Sequence, residues 1–420
     1  MRTAAEAAEQ IGSHHDGMHF FPLGKGPGAN RRGLLVLNHE YVDRTLLYPD
    51  GDAEMSREKV DKALESHGVT VVEIALVGGA WQVVDSAYNR RITGTTPMTF
   101  SGPVPAGHPA LQSNNPVLGT LNNCAHGVTP WGTYLACEEN WNGYFGTDDP
   151  TWEPTPEQAR YGISAGGFGY RWHEADPRFD LAVNPNELNR FGWVVEIDPF
   201  DPASTPVKRT ALGRVKHEGA TVTEAQGRLV VYSGDDQDGD YIYKFVSSAP
   251  WRSLRAQGKS PLDHGILHVA RFDDDGGGQW LPLVFGEGPL TAENGWRDQA
   301  DVLLRTREAA DAVGATPMDR PEWIAVHPRT GAVYATLTNG TGWPGEVNPR
   351  SPNPYGHIIS WKEDPIGRPG RATAFQWDIF VLAGDPVYDE QVDLDDTNVF
   401  GSPDGLWIDD DGRMWIQTDI

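Results

Sequence analysis

The sequence predicts an all-β protein, a β-propeller with a few short helical insertions, and three observations carry that reading. A weak repeat runs through the chain, each copy a polar residue opening a strand, then a turn, then a second strand ending in polar or acidic residues. Glycine (48) and proline (32) are abundant among the 420 residues, which favours many turns and short strands over long helices. The same polar choice recurs just before apolar strands, as it must where the innermost strands of several blades surround one channel.

The copies read DGMHFFPLGKGPGANRRGLLVLNHEY from Asp16, HGVTPWGTYLACEEN from His126, EGATVTEAQGRLVVYSGDD from Glu218, EWIAVHPRTGAVYATLTN from Glu322 and DGLWIDDDGRMWIQTD from Asp404. Their turns (PWG, EAQG, HPRTG, DDDG) put Gly where the chain must reverse. Their strands alternate or run apolar, with Val, Leu, Ile, Trp and Tyr. Further strands are expected in GWVVEIDPF (192–200), YIYKFV (241–246), GILHVARFD (265–273) and GHIISWKED (356–364). Copies recur roughly every 80 to 110 residues, about four strands apart, the spacing of decorated propeller blades. Helix is expected to be sparse, at 53–66 and 297–313 as insertions between blades, with a long loop and one short helix in 147–170. The organisation expected is one propeller domain over 1–420. Five copies and a last strand ending at Ile420 suggest that flanking N- and C-terminal segments lie outside this range.

A net charge of −25 argues against nucleic acid or an anionic membrane as partner. Two cysteines, Cys124 and Cys137, exclude a disulfide scaffold and leave open a single hairpin disulfide. No apolar run is long enough to span a membrane, and MRTAAEAAEQIGSHHDG lacks the apolar core of a signal peptide.

The chemistry concentrates at strand ends. GTYLACEENWNGYFG places Cys137 beside Glu138 and Glu139, with Asn140 behind. Glu40 ends NHEY, Asp235 and Asp236 end VVYSGDD, and Asp238 and Asp240 follow. Carboxylates packed at one end of a channel repel and raise each other's pKa unless cations neutralise them. Oxygen ligands at that density suit calcium. Calcium does not want sulfur, so a thiolate among them suits iron or zinc. The plainer alternatives are a buried apolar cysteine and solvated turn acids; FDDDGGG (272–278) and IDDDGR (408–413) read as hairpin turns. Asp16, His126, Glu218, Glu322 and Asp404 share the position that opens each copy. His126 and His217 fit either proton transfer or ordinary hydrogen-bonded core roles.

LLVLNHEY, NNCAHGVTPWGTYLACEENWNGYF, KHEGATV, YSGDDQDGDYIYKF, RPEWIAVHPRTGAVY and SPDGLW, in that order, resemble the PhoX-type alkaline phosphatases, a family of bacterial metallohydrolases. The resemblance runs from about Asp16 to the last residue. It implies six blades, a pair of oxo-bridged iron ions with a cysteine ligand, and several calcium ions at one end of the channel. Cys137 is matched to that cysteine. Glu218, Glu322 and Asp404 are matched to metal-binding acids, with Glu40, Glu138, Glu139, Asp235 and Asp236 in matching segments. Arg320 is matched to the arginine that meets the substrate phosphate. Arg320, Cys137 and Glu322 are thereby the implied catalytic residues, and small phosphomonoesters the implied substrates. Such chemistry needs no Ser or Thr nucleophile. The family also implies export, to the periplasm or beyond, for phosphate scavenging; no twin-arginine signal is visible here. A monomer is expected. Two other readings fit a propeller: a single-calcium lactonase, which has no use for Cys137 or Arg320, and a non-enzymatic calcium-stabilised binding propeller.

Overall fold

A computed structural model describes residues 3–51, 53–363 and 373–419. They form two compact units, 1–210 and 211–420. The expected strand end at 364 and the last residue, 420, lie outside the described residues.

The first unit holds two sheets, one antiparallel and one mixed. One contains β1 (Met18–Pro22), β2 (Arg32–His39), β3 (Gly68–Val77) and β4 (Ala80–Val83) in that order, with β5 (Arg90–Ile92) also on β3. The other contains β6 (Thr99–Ser101), β7 (Asn123–Val128), β8 (Tyr134–Glu138), β9 (Val194–Ile197) and β10 (Val207–Arg209), ordered β6-β10-β9-β8-β7, with β6 and β10 paired in parallel. β2 alternates or runs apolar through Leu34, Val36 and Leu37, all buried, and packs with Val69, Val71, Tyr134, Ala136 and Val195. A second cluster, centred on Trp141, Tyr144, Trp172 and Phe179, fills the space under the long loop.

The second unit contains β11 (His217–Ala225), β12 (Arg228–Asp235), β13 (Ile242–Pro250), β14 (Gly265–Phe272), β15 (Gly277–Pro282), β16 (Pro321–Val326), β17 (Val333–Leu337), β18 (His357–Glu363), β19 (Ala374–Leu382), β20 (Pro403–Ile408) and β21 (Met414–Thr418). Strands β11 to β14 and β16 to β19 are two four-stranded meanders, joined edge to edge because β15 pairs with β19. The Thr221 hydroxyl donates to the Ile324 carbonyl, linking β11 to β16, the two ends of that nine-strand order. Tyr232, Trp280, Trp361 and Phe375 fill the core between the meanders. Their rings lie 5.1 to 6.2 Å apart, centroid to centroid. Truncating fully buried Trp361 to Ala would cost about 3–5 kcal/mol.

The all-β, propeller-type expectation therefore holds, and each sequence copy forms an antiparallel strand pair, the copies from Glu218 and Glu322 standing at the two ends of the nine-strand sheet. Strands stand where GWVVEIDPF, YIYKFV and GILHVARFD predicted them. FDDDGGG and IDDDGR are the β14–β15 and β20–β21 hairpin turns. The expected helices form at Arg57–Ser66, capped by Ser56, and as two short helices, Gln299–Leu304 and Thr306–Val313, interrupted at Arg305. The loop over 147–170 carries one short helix, Pro156–Arg160.

Candidate metal centres

One backbone device recurs in all five copies. The residue that follows or closes the second strand donates its N–H to a carbonyl just ahead of the first strand. Glu40 donates to His14 (3.0 Å), Glu139 to Asn122 (2.9 Å), Asp236 to Lys216 (3.1 Å), Thr338 to Arg320 (3.2 Å) and Asp419 to Ser402 (3.0 Å). Four of these acceptors are left-handed without being glycine, with φ of 49° at His14, 52° at Asn122, 48° at Arg320 and 47° at Ser402. Such backbone costs about 1–3 kcal/mol per residue and persists only where the surroundings enforce it. In four copies the first strand then slips register, between Asn123 and His126, Glu218 and Thr221, Pro321 and Ile324, and Pro403 and Leu406. A bulge re-aims the side chains at the slip.

This device fixes which residues are equivalent. Two residues beyond the acceptor stand Asp16, Cys124, Glu218, Glu322 and Asp404. In the second copy the position belongs to Cys124, and His126, the expected occupant, lies two residues further along β7, stacked on Tyr134. Burial drives the His126 pKa down to about 3.

In the first unit, Asp16, Glu40 and Cys124 bring their ligand atoms within 4.8 Å of one another, and a Glu139 carboxylate oxygen lies within the same distance of the Cys124 sulfur. The Cys124 thiol donates to Asp16 Oδ2 at 3.1 Å. Cys124 is held from behind by Asn38 on β2, whose amide donates to the Cys124 and Ala125 carbonyls at 2.5 and 3.0 Å. Gly17 is required here, because a Cβ would meet the Ala125 backbone and the His126 side chain at 2.8 to 2.9 Å.

In the second unit, Glu218, Glu322 and Asp404 form an all-carboxylate group within the same 4.8 Å limit. Glu218 and Glu322 are buried. Burial, and then the charges of Asp236, Asp404 and Glu218, push the Glu322 carboxyl well above its ordinary range despite nearby Arg320. Arg320 is partly exposed, at 27% of its side chain. Its guanidinium makes a two-pronged contact with Asp236, at 2.7 and 2.9 Å, and lies 3.2 Å from Glu322 Oε1. Burial opposes its charge, but the hydrogen bonds and charge of Asp236 outweigh it and raise its pKa.

The donor sets fit cations. Three converging carboxylates, two of them buried, destabilise one another until positive charge arrives. The second group offers only hard oxygen, the first a thiol with carboxylates, which is a set for a softer transition metal.

Several expected ligands are brought to neither group. Cys137 is buried in β8 opposite Val194, and neither cysteine is in a disulfide. It occupies the step of Asn38, two residues before the acid that follows the strand. Glu138 points to the other face of β8. It accepts from the Gly192 and Trp193 backbone amides, both at 3.0 Å, and from Lys208 at 2.7 Å, with both side chains fully buried. Asp235 is gripped by Arg307 through two nitrogens and caps the Lys216 amide. Asp236 serves Arg320. The period-two alternation of a strand explains these fates: of two adjacent acids, one faces a buried cation, Lys208 of β10 for Glu138 and Arg307 of the Thr306–Val313 helix for Asp235. His217 is a core residue, bonded to Ser233 and the Gly213 carbonyl at 2.9 Å each. Cys124 could have been found as a candidate ligand by aligning the second copy on a thiol followed by a small residue (CA), as Asp16, Glu218 and Asp404 are followed by Gly.

A fold of bulged meanders presenting acids and a thiol for cations defines a metallohydrolase-like class. The family model described as alkaline phosphatase PhoX matches residues 1–420. A solved structure of Pseudomonas fluorescens PhoX in complex with vanadate, a transition state analogue, is 48% identical with a TM-score of 0.93, covering 100% of this chain and 76% of that one. The comparison with curated proteins gave no match. The chain belongs to the PhoX alkaline phosphatase family, whose members are metal-dependent phosphatases. Among the described residues, no helix is long and apolar enough to cross a membrane.

Proposed function

We propose that this protein hydrolyses small phosphomonoesters outside the cytoplasm, with iron held by the thiol-containing group and calcium by the all-carboxylate group. The observation that carries this reading is the raised Glu322 carboxyl, crowded by Asp236, Asp404 and Glu218: a site built to be completed by cations. Cys124, with Asp16, Glu40 and Glu139, would hold iron; Glu218, Glu322 and Asp404 would hold calcium. When bound, such ions supply positive charge for the phosphoryl oxygens and activate the attacking water. They also reverse locally the field of a protein of charge −25, which otherwise repels phosphate.

The chain's own contribution is orientation. Arg320 presents a planar fork suited to two phosphoryl oxygens and to the charge that grows on them in the transition state. Asp236 keeps that fork charged and aimed. The left-handed backbone at Arg320 sets its direction relative to Glu322, two residues on. Likeness to a protein solved with vanadate supports the same phosphoryl chemistry here.

The test is p-nitrophenyl phosphate hydrolysis by the purified chain, with metal analysis of the same sample. Hydrolysis lost on chelation, with iron and calcium both present, is the expected result. Calcium without iron, and no hydrolysis, would overturn the proposal in favour of a calcium-stabilised binding propeller.

A further inference from the structure

The second strand of each copy carries a residue two positions before the one whose N–H donates to the carbonyl ahead of the first strand. In the first unit this is Asn38, whose amide grips both carbonyls of the Cys124–Ala125 bulge. In the second unit the same step on β12 is Gly234, where a Cβ would meet the Glu322 carbonyl oxygen at 2.4 Å, so the backbone itself abuts that bulge. On β17 the step is Thr336, which is fully buried. Its hydroxyl lies 2.7 Å from the Asp404 carbonyl and 3.1 Å from the Trp323 carbonyl. One side chain thus touches the backbone of Asp404 and of the residue after Glu322, the bulges that present two of the three converging carboxylates.

We propose that Thr336 is a positioning residue for the calcium group, its single hydroxyl proton shared between two bulge carbonyls so that Glu322 and Asp404 are held at one separation. This rests on the reading of Glu218, Glu322 and Asp404 as calcium ligands. Without the donor, two neighbouring carbonyls face each other with no shared proton, repel, and let the carboxylates part. Groups that orient ligands from behind typically change metal affinity by about 10–100-fold when removed.

The experiment is calorimetric titration of calcium chloride into the chelator-treated full chain, with thermal unfolding of the same metal-free samples. Thr336→Val keeps the shape and removes the donor; Thr336→Ser keeps the donor. Thr306→Val removes another buried hydroxyl, one that donates to the Leu303 carbonyl, and serves as control. Calcium affinity should fall about tenfold or more in Thr336→Val and stay near wild type in Thr336→Ser and Thr306→Val, although Thr306→Val also melts earlier. If Thr336→Val does not fold, Thr336→Ala is titrated instead, with the same expectation. Wild-type affinity in the donorless variant, even with a lower melting temperature, would overturn the inference. A wild-type chain that binds no calcium would instead overturn the ligand reading beneath it.

Discussion

The two ligand groups are built by one backbone device and differ in what it displays. In the first unit the presented side chains are Asp16 and Cys124, joined by Glu40, and the neighbouring support is Asn38. In the second they are Glu218, Glu322 and Asp404, with Arg320 as the adjacent cation. The backbone hydrogen bond is common to all five copies, and the left-handed residue and the bulge each occur in four of them, in both units, so the device does not distinguish the groups. Chemistry does. A thiol at one presented step makes a mixed soft and hard donor set, and carboxylates alone make a hard one. On the proposed reading, the choice of metal would reside in one side chain per copy.

The sharpest way to break this comparison is to ask where the first group stops. Glu138→Ala should leave the fully buried Lys208 ammonium without its carboxylate and cost about 3–5 kcal/mol in urea unfolding. Glu139→Ala, one residue on, should cost far less stability and lower metal content instead. Equal stability losses would show that both acids are structural.

Next come the thiols. Cys124→Ser should abolish iron-dependent visible absorption and reduce phosphatase activity by at least tenfold, about 1.4 kcal/mol of transition-state stabilisation, leaving calcium content intact. Cys137→Ser, a change at a position buried in β8, should keep both the absorption and the activity. The reverse pattern would return the ligand role to Cys137.

Arg320→Lys probes the second group's cation. It retains charge but loses the fork that Asp236 orients. An approximately tenfold drop in kcat/KM is expected, about 1.4 kcal/mol, with weaker inhibition by inorganic phosphate. Unchanged kinetics would reduce Arg320 to a partner of Asp236.

The smallest effect treats both units alike. Burial lowers the pKa of His67 to about 4 and of His357 to about 3. His67 hydrogen-bonds with the Ala63 carbonyl and Tyr144, and His357 with the Val347 carbonyl and Asn353. The folded state thus refuses protons that the unfolded state accepts below about 6.5. Stability falls as pH drops from 6.5 toward 4, by about 1 kcal/mol per histidine between pH 6.5 and 5.5. His67→Gln and His357→Gln should each flatten that slope in melts at pH 6.5 and 5.5. Unchanged slopes would mean that these imidazoles take up protons without unfolding.

Much of this was legible in the sequence, and the rest was hidden for a definable reason. Strands and hairpins announce themselves by apolar runs and by Gly at the turn, and the acids Glu218, Glu322 and Asp404 stand where the repeat put them. What periodicity cannot give is the bulge. A register slip between Asn123 and His126 exchanges which residue faces which way, so aligning the copies chose His126 where geometry presents Cys124, and the acids beside Cys137 drew the ligand expectation to that cysteine instead. The fates of Glu138 and Asp235 were equally invisible, because their partners Lys208 and Arg307 are 70 and 72 residues away.

The hydrogen bond from the second strand's end to the carbonyl ahead of the first strand has an evolutionary consequence. It is made within each copy, from backbone atoms alone, so it does not depend on the side chain being displayed. A duplicated copy would inherit a finished socket, and a single codon change could then exchange oxygen for sulfur without rebuilding the fold. Diversification of the inorganic chemistry could in this way proceed one copy at a time while the rest of the protein kept working.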